Sequence, residues 1–135
     1  MWSPKRWLPA SAGLAAVLLV SACGSPAGDD AERKASSLRG AIARDDGAAA
    51  CAVLSARTLS ELEQSSDKPC AQAILEETLP TGGAVSQVRV FGSMAQVRYD
   101  DETVFLSRYG GGWRVSAAGC TESASGIYDC VIKGG

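Results

Sequence analysis

The sequence predicts an α+β domain in which N-terminal helices pack on a curved antiparallel meander of about four strands, held by two disulfides. Three observations carry that expectation. From Val85 to Cys120 apolar and polar residues alternate, and Gly92-Ser93, Asp100-Asp101 and Gly110-Gly111-Gly112 interrupt the alternation as hairpin turns. Before that stretch, apolar residues recur at helical rather than strand spacing. Four cysteines downstream of residue 23 make an even set for structural bridges.

The turns set a register. With even loops, Val88 and Val90 share a face with Ala95, Val97, Tyr99, Val104 and Leu106, and then with Trp113, Val115 and Ala117. An odd loop would turn the following strand over and scatter the apolar side chains, so one parity assembles the core. The opposite face carries Arg89, Phe91, Met94, Gln96, Arg98, Thr103, Phe105, Tyr109 and Arg114, with no acid among them. Asp100, Asp101 and Glu102 read as a solvated hairpin tip.

The helices follow from their own signals. Asp29 and Asp30 can cap a first helix whose stripe is Ala31, Ala35, Leu38 and Ile42, and Gly47 suits the left-handed stop of Asp45-Asp46-Gly47. A second helix from Ala48 presents Cys51, Leu54, Thr58 and Leu62 on one side. A third, after Asp67 and Pro69, sets Cys70, Ile74 and Thr78 beside Ala71, Leu75 and Leu79. These helices are alanine-rich and weakly amphipathic, so packing on the sheet must stabilise them. Ile127, Tyr128, Val131 and Ile132 suit a short added edge strand.

The first 22 residues have the pattern of an export signal: Lys5 and Arg6, an apolar run from Leu14 to Val20, then small residues. Val20-Ser21-Ala22-Cys23 resembles the bacterial lipobox, which implies cleavage before Cys23 and lipid on its sulfur. The chain then divides into a signal peptide (1–22), a lipidated tether (23–28) and one domain (29–135) whose C-terminal loop is closed by a disulfide. Cleavage would leave 113 residues with 11 basic and 15 acidic side chains, a balance that disfavours nucleic acid. An exported chain meets oxidising conditions, and of three possible pairings Cys51–Cys70 and Cys120–Cys130 close local loops, worth about 3 kcal/mol each on chain entropy. With no histidine and no Cys-x-x-Cys, neither a metal site nor a cofactor is expected.

Arg44-Asp45-Asp46-Gly47 with Ala50-Cys51, Pro69-Cys70-Ala71, and Gly112-Trp113-Arg114-Val115-Ser116-Ala117-Ala118-Gly119-Cys120 resemble the nuclear transport factor 2-like superfamily. They are also similar to small secreted lipoproteins of actinomycetes, and the 22 alanines agree with a GC-rich genome. The resemblance covers about residues 29–120 and implies a bent sheet closing into a cone, with Tyr99 and Trp113 at its pocket. Some members are isomerases or dehydratases using an acid–base pair, and many only bind ligands or partners. No carboxylate falls on the assigned core face, so the expectation is a lipid-anchored, extracytoplasmic binding or interaction module, with a small isomerase or dehydratase as the alternative. Arg89, Phe91, Arg98 and Phe105 are the candidate interface for an envelope protein or a second copy. The sequence names no small-molecule ligand.

Overall fold

A computed structural model describes residues 3–5 and 24–134. Most of the export segment and the lipobox cysteine, Cys23, lie outside the described residues. Helices α1 (Pro26–Ala43), α2 (Gly47–Ala52), α3 (Ala56–Ser66) and α4 (Cys70–Glu76) precede strands β1 (Val85–Phe91), β2 (Met94–Tyr99), β3 (Thr103–Tyr109), β4 (Gly112–Glu122), β5 (Tyr128–Asp129) and β6 (Ile132–Lys133). The first four strands form an antiparallel meander, and β5 and β6 both pair with β4. The sheet thus has two short strands beyond the expected four, β5 inside the disulfide-closed C-terminal loop and β6 just after it. They cover the edge of β4 that would otherwise stay unpaired.

The expected parity holds across the first three strands, where Val90 faces Ala95, Val97 faces Val104, and Ala95 faces Leu106. Leu106 pairs onward with Val115, but the register then slips in β4. Ser116 is the extra residue, and its carbonyl accepts from Thr58 Oγ1 and the Gly134 amide, each at 2.9 Å. The bulge turns Ala117 outward and makes Ala118 the buried residue, so the assignment of Ala117 to the core fails there. A second slip falls near Gly119, at φ +65°, where a Cβ would collide with Val131 and Leu79.

The helices depart from expectation in four places, each for a local reason. Ser25 caps α1 by accepting from the Gly28 amide at 3.1 Å, and Pro26 suits the first helical position. Residues 26–28 are therefore helical rather than tether. Gly47 is not a left-handed stop; Asp45 holds that conformation, at φ 56°. Gly47 instead lets α2 approach α4, since a Cβ there would run into the Ala71 carbonyl. The second helix is broken at Val53–Ser55, where Leu54 bridges to Val115 and Ser55 caps α3 through the Thr58 amide. On α4 the buried residues are Cys70, Ala73 and Ile74, while Ala71 and Leu75 are exposed and Thr78 lies beyond the helix.

Helix α1 crosses the sheet and touches β1 through β4. Ala31, Ala35, Leu38 and Ala41 make its buried stripe, and the small side chains let the helix lie close to the strands. Disulfides join Cys51 to Cys70, tying α2 to α4, and Cys120 to Cys130, closing the C-terminal loop.

Candidate functional site

Tyr99 and Trp113, the expected pocket residues, are buried side chains that border separate surface clefts, Tyr99 with Glu102 in one of about 320 Å³ and Trp113 with Asp30 and Arg33 in one of about 420 Å³. Trp113 is buried with its indole N–H donating to the Ala27 carbonyl at 3.0 Å, and Arg108 stacks on its ring. Tyr99 is also buried, its hydroxyl 3.0 Å from Ser36 Oγ and its ring under the Arg39 guanidinium at 4.0 Å. Burial holds the Tyr99 phenol above its ordinary pKa.

Arg39 anchors a charged cluster that the sequence reading missed. It donates to Glu102 through Nη1 and to both Asp101 oxygens through Nη2, at 3.0 and 3.2 Å. The second Glu102 oxygen accepts from the Gly119 amide at 2.5 Å. Arg39 and Glu102 are each only 5% exposed, so the expected solvated tip keeps only Asp100 and Asp101 in water. The reason is parity: Glu102 shares the alternation of Val104 and Leu106, and so points at the helices. Burial pushes its carboxyl above the ordinary value of 4.5, against the opposing pull of the Gly119 amide and Arg39. Both oxygens are occupied, and Tyr99 is bonded to a serine rather than to a carboxylate. The cluster fastens α1 to the β2–β3 turn and to β4.

The outer face is divided in two. The disulfide-closed loop folds β5 back on β4 and lays Tyr128 over the sheet, its ring edge-on to Phe105 at 4.9 Å. The Tyr128 hydroxyl accepts from Gln96 at 2.8 Å and from Arg98 at 3.1 Å, and Arg98 also donates to Glu122 at 2.6 Å. Arg98 and Phe105 therefore leave the candidate interface, because the chain itself supplies their contacts. Arg89 and Phe91 stay exposed.

Among the described residues an apolar concavity lies beside the sheet. A groove of about 600 Å³ is lined by Cys51, Ala52, Leu54, Ala56, Arg57, Leu59, Tyr109 and Arg114. It exists because the break between α2 and α3 leaves a gap next to the end of β3. Arg114 is held at its wall by donating to the Ala52 carbonyl at 2.6 Å. Arg57 is exposed and, among the described residues, has no side-chain partner. Two guanidiniums and no carboxylate border an apolar floor, which suits a ligand with an apolar body and an acidic head. A smaller cleft of about 280 Å³ between α3 and β6 includes Glu61, Glu77 and Lys133 and has no such single charge.

Among the described residues no cluster of histidine, cysteine or acidic side chains is arranged to hold a metal, and no helix is long and apolar enough to cross a membrane. Comparison with protein-family models, curated proteins and solved structures finds no match. Any functional reading rests on the chain's own residues.

Proposed function

We propose that the chain is a lipid-anchored, extracytoplasmic binding module of the nuclear transport factor 2-like kind, whose ligand is an anionic amphiphile held in the groove between α2–α3 and β3–β4. The lipobox-like Val20-Ser21-Ala22-Cys23 supports the anchor and the address. The observation that carries the ligand class is the apolar groove bordered by Arg57 and Arg114 without an acid. The volume falls within the usual range for small-molecule sites, about 300–1,000 Å³. A binding role is favoured over an isomerase or dehydratase because the Tyr99 hydroxyl, the Trp113 indole and the Glu102 carboxylate are already engaged within the fold.

Titration with a dansyl-labelled fatty acid tests the reading. Saturable emission enhancement is expected, and Ala56→Trp, which fills an exposed part of the groove, should abolish it without changing the fold. Arg57→Glu should weaken binding about tenfold, the equivalent of roughly 1.4 kcal/mol. Equal affinity in all three proteins would refute the assignment.

A further inference from the structure

The two hairpin tips and the start of α1 lie at one end of the sheet. Strands β1 and β3 run toward that end and finish in Phe91 and Tyr109, and Met94 pairs directly with Phe91. The Trp113 bond to Ala27 holds the first turn of α1 there, with Gly28 beside Val88 and Val90. The later part of α1 reaches the opposite end of the strands, at the β2–β3 turn, through Arg39. Gly24, which follows Cys23 in the chain, lies beside Val88 and Val90 at the end that carries Phe91, Met94 and Tyr109, which are 60%, 53% and 55% exposed. Side chains of this size left in water at two neighbouring tips mark a contact surface.

Charge separates the two ends. Arg89 and Arg108 flank the tips and Arg57 and Arg114 border the adjacent groove, against Asp29, Glu32 and an Asp30 already paired with Arg33. The other end carries Asp100, Asp101, Glu102 and Glu122 against only Arg39 and Arg98, which pair with the last three, so it keeps an acidic excess.

We infer that the β1–β2 and β3–β4 tips rest on an anionic phospholipid surface, seating Phe91, Met94 and Tyr109 in the headgroup region with the acidic end pointing away. This rests on the membrane-anchored reading and adds an orientation: the groove opens beside the bilayer, through the Tyr109 it shares with the tip. A protein partner on the same residues is the competing occupant. Charge complementarity and the exit point of the chain favour the lipid.

Full-length protein, processed in its host and purified from membranes, is reconstituted into vesicles of phosphatidylcholine and phosphatidylglycerol with brominated acyl chains. Three single-tryptophan additions are compared over the buried Trp113 background: Phe91→Trp, Tyr109→Trp and Ile127→Trp. Ile127 is 69% exposed and lies in the β4–β5 loop at the acidic end. Tryptophan at 91 and 109 should lose about half of its emission, as expected for side chains reaching about 5–10 Å into the interface, while tryptophan at 127 should be unaffected. Omitting phosphatidylglycerol should reduce the quenching. Protein that floats with the vesicles but shows no quenching at 91 and 109 overturns the orientation and leaves the anchor standing. Quenching at 127 alone reverses the orientation, and cross-linking of Phe91 variants to another protein in the native envelope, with no quenching in the vesicles, assigns the tips to that partner. Failure to float overturns the anchor and the orientation together, and Cys23→Ala supplies the unanchored reference.

Discussion

Leu106→Glu is expected to unfold the domain, whereas Phe105→Glu, one residue earlier, should leave it folded. Leu106 is fully buried between Ala95 and Val115, with no partner there for a carboxylate. Placing an uncompensated charge at such a site costs more than about 4 kcal/mol, most of what a domain of this size has to lose. Phe105 is half-buried against the edge of Tyr128, so its replacement gives up that ring contact, about 0.5–1.5 kcal/mol beyond the area it covers. Urea unfolding followed by circular dichroism separates the two variants. A folded Leu106→Glu with an unfolded Phe105→Glu would mean that the sheet faces are inverted.

Arg39→Ala should cost about 3–5 kcal/mol, because it leaves Glu102 buried without its cation. Glu102→Gln should be much milder, within about 1.5 kcal/mol, since an amide oxygen can still accept from Gly119 or Arg39 and Asp101 still faces the guanidinium. The pH dependence has a defined sign. Burial raises the Glu102 pKa above 4.5, so between 4.5 and the folded value the folded chain holds a proton that the unfolded chain has released. That contribution to stability is complete below the unfolded pKa and is lost as pH rises through the folded one. Wild type should therefore gain on Glu102→Gln as pH falls toward 4.5, and the penalty of Arg39→Ala should shrink over the same interval. A wild-type advantage that grows with rising pH would contradict the burial argument.

Much of the fold was legible because its signals are local. Alternation through Val88, Val97, Val104 and Leu106 gave the core face, and loop closure gave both cysteine pairs. What escaped depended on contacts distant in sequence. The Ser116 bulge is stabilised by Thr58 and Gly134, which no pattern within β4 announces. Arg39 and Glu102 lie 63 residues apart, although the parity that placed Leu106 inside also places Glu102 inside. The groove was hidden because Cys51, Leu54, Thr58 and Leu62 fit one continuous helical stripe. Only Ser55, a good capping residue in mid-stripe, signalled that the helix restarts there. The outer face was read as open because the reach of Tyr128 depends on how the Cys120–Cys130 loop folds back.

On the proposed reading the ligand sits in the groove while Tyr99 and Glu102 stay engaged within the fold. Amide chemical-shift mapping during titration with a fatty acid tests it most directly. Shifts should concentrate at Ala52, Leu54, Ala56, Arg57, Leu59 and Tyr109, with Ser36, Tyr99, Glu102 and Gly119 unchanged. Shifts centred on Ser36, Tyr99 and Glu102 instead would show that the packed interior opens to ligand, and would contradict the groove assignment in favour of an isomerase-like or dehydratase-like pocket.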